Sequence, residues 1–161
     1  MPTPDFILEL RKSIGTAPLW LSGVTAVVLH EGRILLNRRS DNGRWALLHG
    51  ILEPGEQPGV AVVREVFEET GVTVSVERLS SVFSLPPGVC ANGDRVQFLD
   101  LTFVCRLVGG EARVNDDESL AVAWFHLDTL PPMAEADRFL LDKALAAEAS
   151  PWFVTDPGDL P

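Results

Sequence analysis

The stretch from Gly50 to Val72, GILEPGEQPGVAVVREVFEETGV, constrains this chain more than any other. Gly55, Pro58 and Gly59 break its first half and predict a loop. From Val60 the pattern turns helical, and Gly71 stands where a left-handed residue ends a helix. Val62, Val63, Val66 and Phe67 recur at spacings of three and four, which predicts a core-facing stripe. Arg64, Glu65, Glu68 and Glu69 fall on the opposite side.

The three acids share one helical face, because Glu65 lies three residues before Glu68 and four before Glu69. Like charges at that spacing cost a helix roughly 0.2–0.5 kcal/mol per pair. They also lie toward the C-terminal end, where the helix dipole disfavours anions. Arg64 sits four residues before Glu68 and offsets part of this, but one guanidinium does not neutralise three carboxylates. A hard divalent cation held by carboxylate oxygens would. An acid-rich helix face is also what a solvated surface looks like, so the wider spacing has to decide.

That spacing is Gly50, five residues, Glu56, seven residues, then Arg64-Glu65-Val66-Phe67-Glu68-Glu69-Thr70-Gly71-Val72. It resembles the Nudix box, G-x5-E-x7-R-E-U-x-E-E-x-G-U with U apolar, at all nine constrained positions. The resemblance implies that Glu65, Glu68 and Glu69 bind Mg²⁺ or Mn²⁺. It implies that Arg64 orients these acids and pairs with Glu56. A backbone carbonyl just before the box, here that of His49, is an implied further ligand. Many members have Gly at this place; Leu48-His49-Gly50 keeps the carbonyl but adds a titratable ring. That ring is a minor candidate ligand in its own right.

The chain is 161 residues long, enough for one full core and too short for two. Residues 5–14 read as an amphipathic helix ended by Gly15, with Phe6, Ile7, Leu10 and Ile14 on the apolar face. Val24–His30 and Ile34–Arg39 read as strands around a turn at Glu31-Gly32-Arg33. Trp45–Leu48 is a short strand leading into the box. Thr73–Phe83 reads as extended, Ser84–Asp94 as a long loop, and Arg95–Leu107 and Ala121–His126 as strands. A helix is expected within Ala134–Ala149, its turns marked by Phe139, Leu140, Lys143, Ala144 and Ala147. Strands around a central helix, with a second helix near the end, predict a mixed sheet covered on both sides. This agrees with what the resemblance implies: an α/β/α sandwich of the Nudix type, with the box as a loop-helix-loop motif. The expected division is an N-terminal helical extension over 1–20, a Nudix domain over 21–149 and a flexible tail over 150–161.

Trp124–Pro131, W-F-x-L-x-x-L-P, resembles a common ending of the family. A further acid about six residues before that Trp is frequent there. Glu118 fits best as fourth ligand or proton acceptor, with Asp117 its rival, although three acids in a row also suit a solvated loop. Arg39 matches a strand-end position that reaches substrate phosphates, and a solvated strand end is the competing reading. The implied chemistry is hydrolysis of a phosphoanhydride, a carboxylate taking the proton of the attacking water.

A net charge of −10 argues against long nucleic acid as partner, but not against a small phosphorylated nucleotide neutralised by metal and one or two arginines. The sequence shows no signal peptide and no stretch as long as a membrane span, so a cytoplasmic protein is expected. Cys90 and Cys105 match no metal or redox spacing. A homodimer, frequent in the family, is one expected assembly. Pro86 and Pro87 fall where ADP-ribose-cleaving members carry a proline, which ranks ADP-ribose or a nucleotide sugar first. A (deoxy)nucleoside triphosphate, oxidised or not, ranks second, and a non-catalytic nucleotide sensor is the alternative of another class. Trp20, Phe83 and Phe98 are candidate base-stacking residues, with the core as the better expectation for each.

Overall fold

One strand decides the layering. β1 (Leu19–His30) has no polar alternation through its middle, and every residue from Gly23 to Val28 is buried in the computed structural model, which describes residues 3–90, 92–146 and 148–159. A strand buried on both faces needs a layer on each. Val24, Ala26 and Val28 turn to one face and pack with Val62 and Val66 of α2 (Pro58–Thr70). Val27 turns to the other and packs with Leu140, Leu141 and Ala144 of α3 (Glu135–Leu145).

β1 pairs antiparallel with β2 (Arg33–Arg39) and with β4 (Leu48–Ile51), and parallel with β7 (Arg95–Gly109). β3 (Trp45–Ala46) and β8 (Ser119–His126) join β2, while β5 (Thr73–Ser84) and β6 (Gly88–Val89) join β7. The eight-stranded mixed sheet between helices is the expected sandwich. α1 (Asp5–Ile14) lies beside the start of β7, where the Arg11 guanidinium donates to the Arg95 carbonyl at 3.0 Å and meets Asp94 at 3.3 Å.

Several boundaries differ from expectation, each for a local reason. β1 begins at Leu19, inside the expected extension, because residues 19–23 are held by pairing with Val96–Asp100. α2 starts at Pro58, two residues early: proline at a first helical position gives up an N–H that has no partner anyway. Trp45–Leu48 is not one strand. The chain breaks at Leu47, and Gly50 and Ile51 join β4 on the flank of β1. Ala147, expected in the last helix, lies outside the described residues, and α3 ends at Leu145.

The segment after Ser150, expected to be flexible, is fixed at Trp152. The Trp152 N–H donates to the Ser80 carbonyl at 2.8 Å, and its own carbonyl accepts from Val82 N–H at 3.0 Å. Its ring meets Phe139 edge-on at 5.0 Å, and the Lys143 ammonium lies 4.4 Å from the ring centre. Trp152→Ala is therefore expected to lower stability by about 2–4 kcal/mol, the scale of deleting a partly buried aromatic. Thermal unfolding beside the wild type measures it, and an unchanged midpoint would return this segment to a loose tail.

Candidate active site

α2 turns two of its three box acids, Glu65 and Glu69, into the buried face and leaves Glu68 exposed. Glu65 is 1% exposed and Glu69 5%, whereas Phe67, expected in the core stripe, is half exposed. The buried face is Ala61, Val62, Glu65, Val66, Glu69 and Thr70, so two carboxylates sit where periodicity alone would put apolar residues. Gly71 ends the helix at φ 70°, its N–H donating to the Phe67 carbonyl at 2.8 Å.

Arg64 organises the approach to these acids. It forms a two-pronged pair with Glu56, Nε to Oε1 and Nη2 to Oε2, both at 2.8 Å. Nη1 reaches Glu65 Oε1 at 2.9 Å and Glu68 Oε2 at 3.1 Å. The Glu56 bond, with Glu65 and Glu68 nearby, holds the Arg64 pKa above its ordinary value against the effect of burial, and that same bond lowers Glu56. A fork matching two carboxylate oxygens fixes the loop Glu to the helix. A groove of about 760 Å³ opens beside them, lined in part by Phe6, Glu53, Glu56, Arg64 and Glu68.

The two buried acids are only partly compensated. Burial, opposed by Arg64 and reinforced by Glu68, pushes Glu65 up to about 7. Burial, opposed by His49 and reinforced by Glu65 and Asp116, pushes Glu69 up to about 8. Glu65 Oε2 is buried without a hydrogen-bond partner, and so is Asn37 Oδ1. Asn37 Nδ2 donates to Glu69 Oε2 at 3.0 Å, which aims that carboxylate from β2. Gly50 has no room for a side chain, since a Cβ there would lie 2.1 Å from Glu65 Cγ.

Oxygen donors of this kind, one of them orphaned in a protein interior, fit a hard divalent cation. Glu65, Glu68 and Glu69 would hold it, with the His49 carbonyl as the further expected donor. Among the described residues no three His, Cys, Asp or Glu side chains form a ready-made cage, and Arg64 holds Glu65 and Glu68 meanwhile.

The loop before β8 is drawn to the end of α2. Asn115 Nδ2 donates to the Phe67 and Glu68 carbonyls at 3.0 and 3.2 Å, and Arg113 N–H to the Thr70 carbonyl at 3.0 Å. This brings Asp116, which the sequence did not single out, into electrostatic reach of Glu69. Asp116 Oδ1 accepts the N–H groups of Glu118 and Ser119, a short-range pattern that spacing to the box does not reveal. Glu118 stands exposed at the head of β8, its carbonyl accepting Ser40 N–H at 2.7 Å; Asp117 is exposed beside it. Arg39 binds Asp41 through Nε at 3.0 Å and Nη2 at 2.7 Å, and Glu69 and Asp137 add to the Asp41 bond in raising its pKa.

His49 is engaged at both ring nitrogens. Nδ1 lies 2.9 Å from Thr25 Oγ1 and Nε2 lies 2.8 Å from Asp137 Oδ1. Thr25 Oγ1 donates to Asp100 Oδ1 at 2.6 Å, and Thr102 Oγ1 to Asp100 Oδ2 at 2.7 Å. The single Thr25 hydroxyl proton is thus committed to Asp100, so His49 Nδ1–H is the donor to Thr25. Burial works to lower the His49 pKa, but Asp137, with Asp100 and Glu69, raises it. Burial raises Asp100 in turn. Of the stacking candidates, Trp20 is 57% exposed rather than core. Phe83 packs on Phe139 and Trp152, at 5.4 and 5.6 Å between ring centres.

Fold and site together define a hydrolase with a box helix, and the comparisons agree. A family model described as NUDIX domain matches residues 20–145. A "MutT-like protein" of Streptomyces ambofaciens is 40% identical over 131 residues, covering 80% of this chain and 79% of that one. An "ADP-ribose pyrophosphatase" of Methanocaldococcus jannaschii is 35% identical over 114 residues, covering 69% and 64%. The crystal structure of a MutT Nudix hydrolase from Burkholderia pseudomallei superposes with a TM-score of 0.61 at 31% identity, covering 78% of this chain and 98% of that one. Other relatives are named for other substrates, among them a putative 8-oxo-dGTP diphosphatase and NAD-capped RNA hydrolases. This chain belongs to the Nudix hydrolase family. Among its described residues no helix is long and apolar enough to cross a membrane.

Proposed function

We propose that this enzyme cleaves the phosphoanhydride bond of a nucleoside diphosphate linked to another group, with ADP-ribose or a nucleotide sugar as its substrate class. The observation that carries the reaction is the pair of buried acids, Glu65 and Glu69, the first with an unpartnered oxygen. When bound, Mg²⁺ or Mn²⁺ supplies positive charge at the phosphate oxygens and acidifies water. Glu65, Glu68, Glu69 and the His49 carbonyl bind the cation, and the Arg64–Glu56 pair keeps the helix acids turned to the sheet. Arg39, close enough to Glu69 and Asp137 to be raised by them, receives the substrate phosphates. Glu118, on the loop tied to the end of α2, takes the proton of the attacking water. The cytoplasm is the proposed compartment, with Cys90 and Cys105 both free.

The ADP-ribose class is supported by the relative named as an ADP-ribose pyrophosphatase and by Pro86 and Pro87. A nucleoside triphosphate is the second reading, supported by the relative named as a putative 8-oxo-dGTP diphosphatase. A Mg²⁺-dependent panel of ADP-ribose, nucleotide sugars, NADH, diadenosine polyphosphates and normal and oxidised dNTPs separates them. AMP release from ADP-ribose is the expected result. Turnover of triphosphates alone would remove the first reading and keep the hydrolase. Tight nucleotide binding with no turnover on any member would leave a sensor.

A further inference from the structure

The box acids and the His49 ring lie on opposite faces of one short strand. Gly50 pairs with Val24, which belongs to the α2 face; His49 pairs with Thr25, one residue on and so on the α3 face. Glu65 rests against Gly50 from the first side. On the second side a chain of hydrogen bonds runs Asp137–His49–Thr25–Asp100–Thr102 and joins α3, β4, β1 and β7. Its inner end is buried and doubly held: Asp100 is 2% exposed and accepts two hydroxyl protons.

Asp137 is the member without a fold-level reason to be there. It falls in the first turn of α3, where a carboxylate complements the helix dipole even when exposed to water. It is instead 6% exposed and aimed at His49 Nε2, and taking a carboxylate out of water is costly unless the partner is needed. His49, 28% exposed at its side chain, could have turned to solvent. Asp137 forgoes water for this contact, and the His49 ring turns its Nε2 inward to meet it.

We propose that Asp137 is a positioning residue: by clamping the His49 ring against Thr25 it fixes β4 from the α3 face, and with it the Gly50 surface that seats Glu65 on the α2 face. The inference rests on the proposed reading of Glu65 as a metal-holding acid. It makes α3, which contributes nothing to the box, a determinant of cation affinity. Outer partners of ligating groups typically change metal affinity by about 10–100-fold when removed.

The test is Mn²⁺ binding by the metal-depleted full-length protein, followed by electron paramagnetic resonance, for wild type, Asp137→Ala, Asp137→Asn and Glu69→Gln. Thermal unfolding and the imidazole N–H resonances of His49 are recorded alongside. Asp137→Ala is expected to weaken Mn²⁺ binding about 10-fold or more and to lose the solvent-protected ring N–H signal. Asp137→Asn, which still hydrogen-bonds Nε2, is expected to stay within about threefold of wild type and keep the signal. Asp137→Ala binding Mn²⁺ as wild type does would overturn the proposal, as would Asp137→Asn binding as weakly as Asp137→Ala. Should Asp137→Ala not fold, Thr25→Val removes the other jaw of the clamp and is read by the same two outcomes. Wild type that binds no Mn²⁺, or binds it no better than Glu69→Gln, overturns the metal reading of the box and this inference with it. Tight wild-type binding unaffected at Asp137 overturns the clamp alone.

Discussion

Replacing Glu69 by Gln is expected to lower kcat about 10²–10³-fold, the scale of removing one group that meets transition-state charge. The same substitution is expected to stabilise the metal-free protein near pH 8. Glu69 is 5% exposed, and burial, only partly offset by His49, raises its pKa to about 8; burial likewise raises Glu65 to about 7. An unfolded glutamate ionises near pH 4.5. Between about 4.5 and 8 the folded chain therefore holds protons that the unfolded chain has released. Stability of the metal-free protein falls as pH rises through that window, with the slope set by the proton difference. Gln at 69 has no proton to lose, so its curve is flatter and crosses above the wild type toward pH 8. Its amide oxygen can still accept from Asn37 Nδ2, which keeps the fold out of the comparison. Thermal unfolding in chelator at pH 5 and pH 8, beside steady-state turnover with Mg²⁺, reads both effects. A midpoint shift of about 2–4 °C per kcal/mol is expected for a chain of this size. Equal wild-type stability at the two pH values would show that the carboxylates are hydrated and that the site is more open than described.

Gly50→Ala should be nearly as damaging, and for a steric reason. Its backbone lies in β4 and is not among the positive-φ positions, so any residue could adopt it. The added Cβ, however, would stand 2.1 Å from Glu65 Cγ, 2.3 Å from Cδ and 2.6 Å from Oε1. Glu65 has no free space to retreat into at 1% exposure, and Arg64 Nη1 already holds the Oε1 that the new Cβ would crowd. Overpacking of this kind costs about 1–3 kcal/mol. Displacement of the carboxylate proposed to hold the metal adds an expected loss of activity of about 10²-fold or more. The double variant Gly50→Ala, Glu65→Ala tests the cause: it should recover most of the unfolding midpoint and none of the turnover. A single Gly50→Ala variant with wild-type kcat would show that the contact is incidental.

The chemistry of the box was legible because it is local. Glu56, Arg64, Glu65, Glu68 and Glu69 are fixed by spacing along a loop and one helix, and the Arg64 pairs with Glu56 and Glu68 need nothing beyond that loop and helix to come about. The sandwich was legible for a related reason: a strand without polar alternation through its middle announces that both of its faces will be covered. What spacing misjudged was the direction of the acids. Periodicity assigned Phe67 to the core and Glu65 and Glu69 to the outside, and the structure reverses this, with Arg64 and Asn37 receiving the two acids on the buried face.

Sequence alone determined the family and the box, since these follow from residue types at short separations. Tertiary structure decided what stands behind them. Asn37 reaches Glu69 from 32 residues away, Asp137 reaches His49 from 88, and Thr25 reaches Asp100 from 75. Asp116 was passed over beside Glu118 until Asn115 tied that loop to the end of α2. Trp152 became part of the fold through the backbone of β5. None of these partners has a local signature, because hydrogen-bonding side chains brought together across a sheet are chosen by the register of the strands, and register is settled by packing over the whole core.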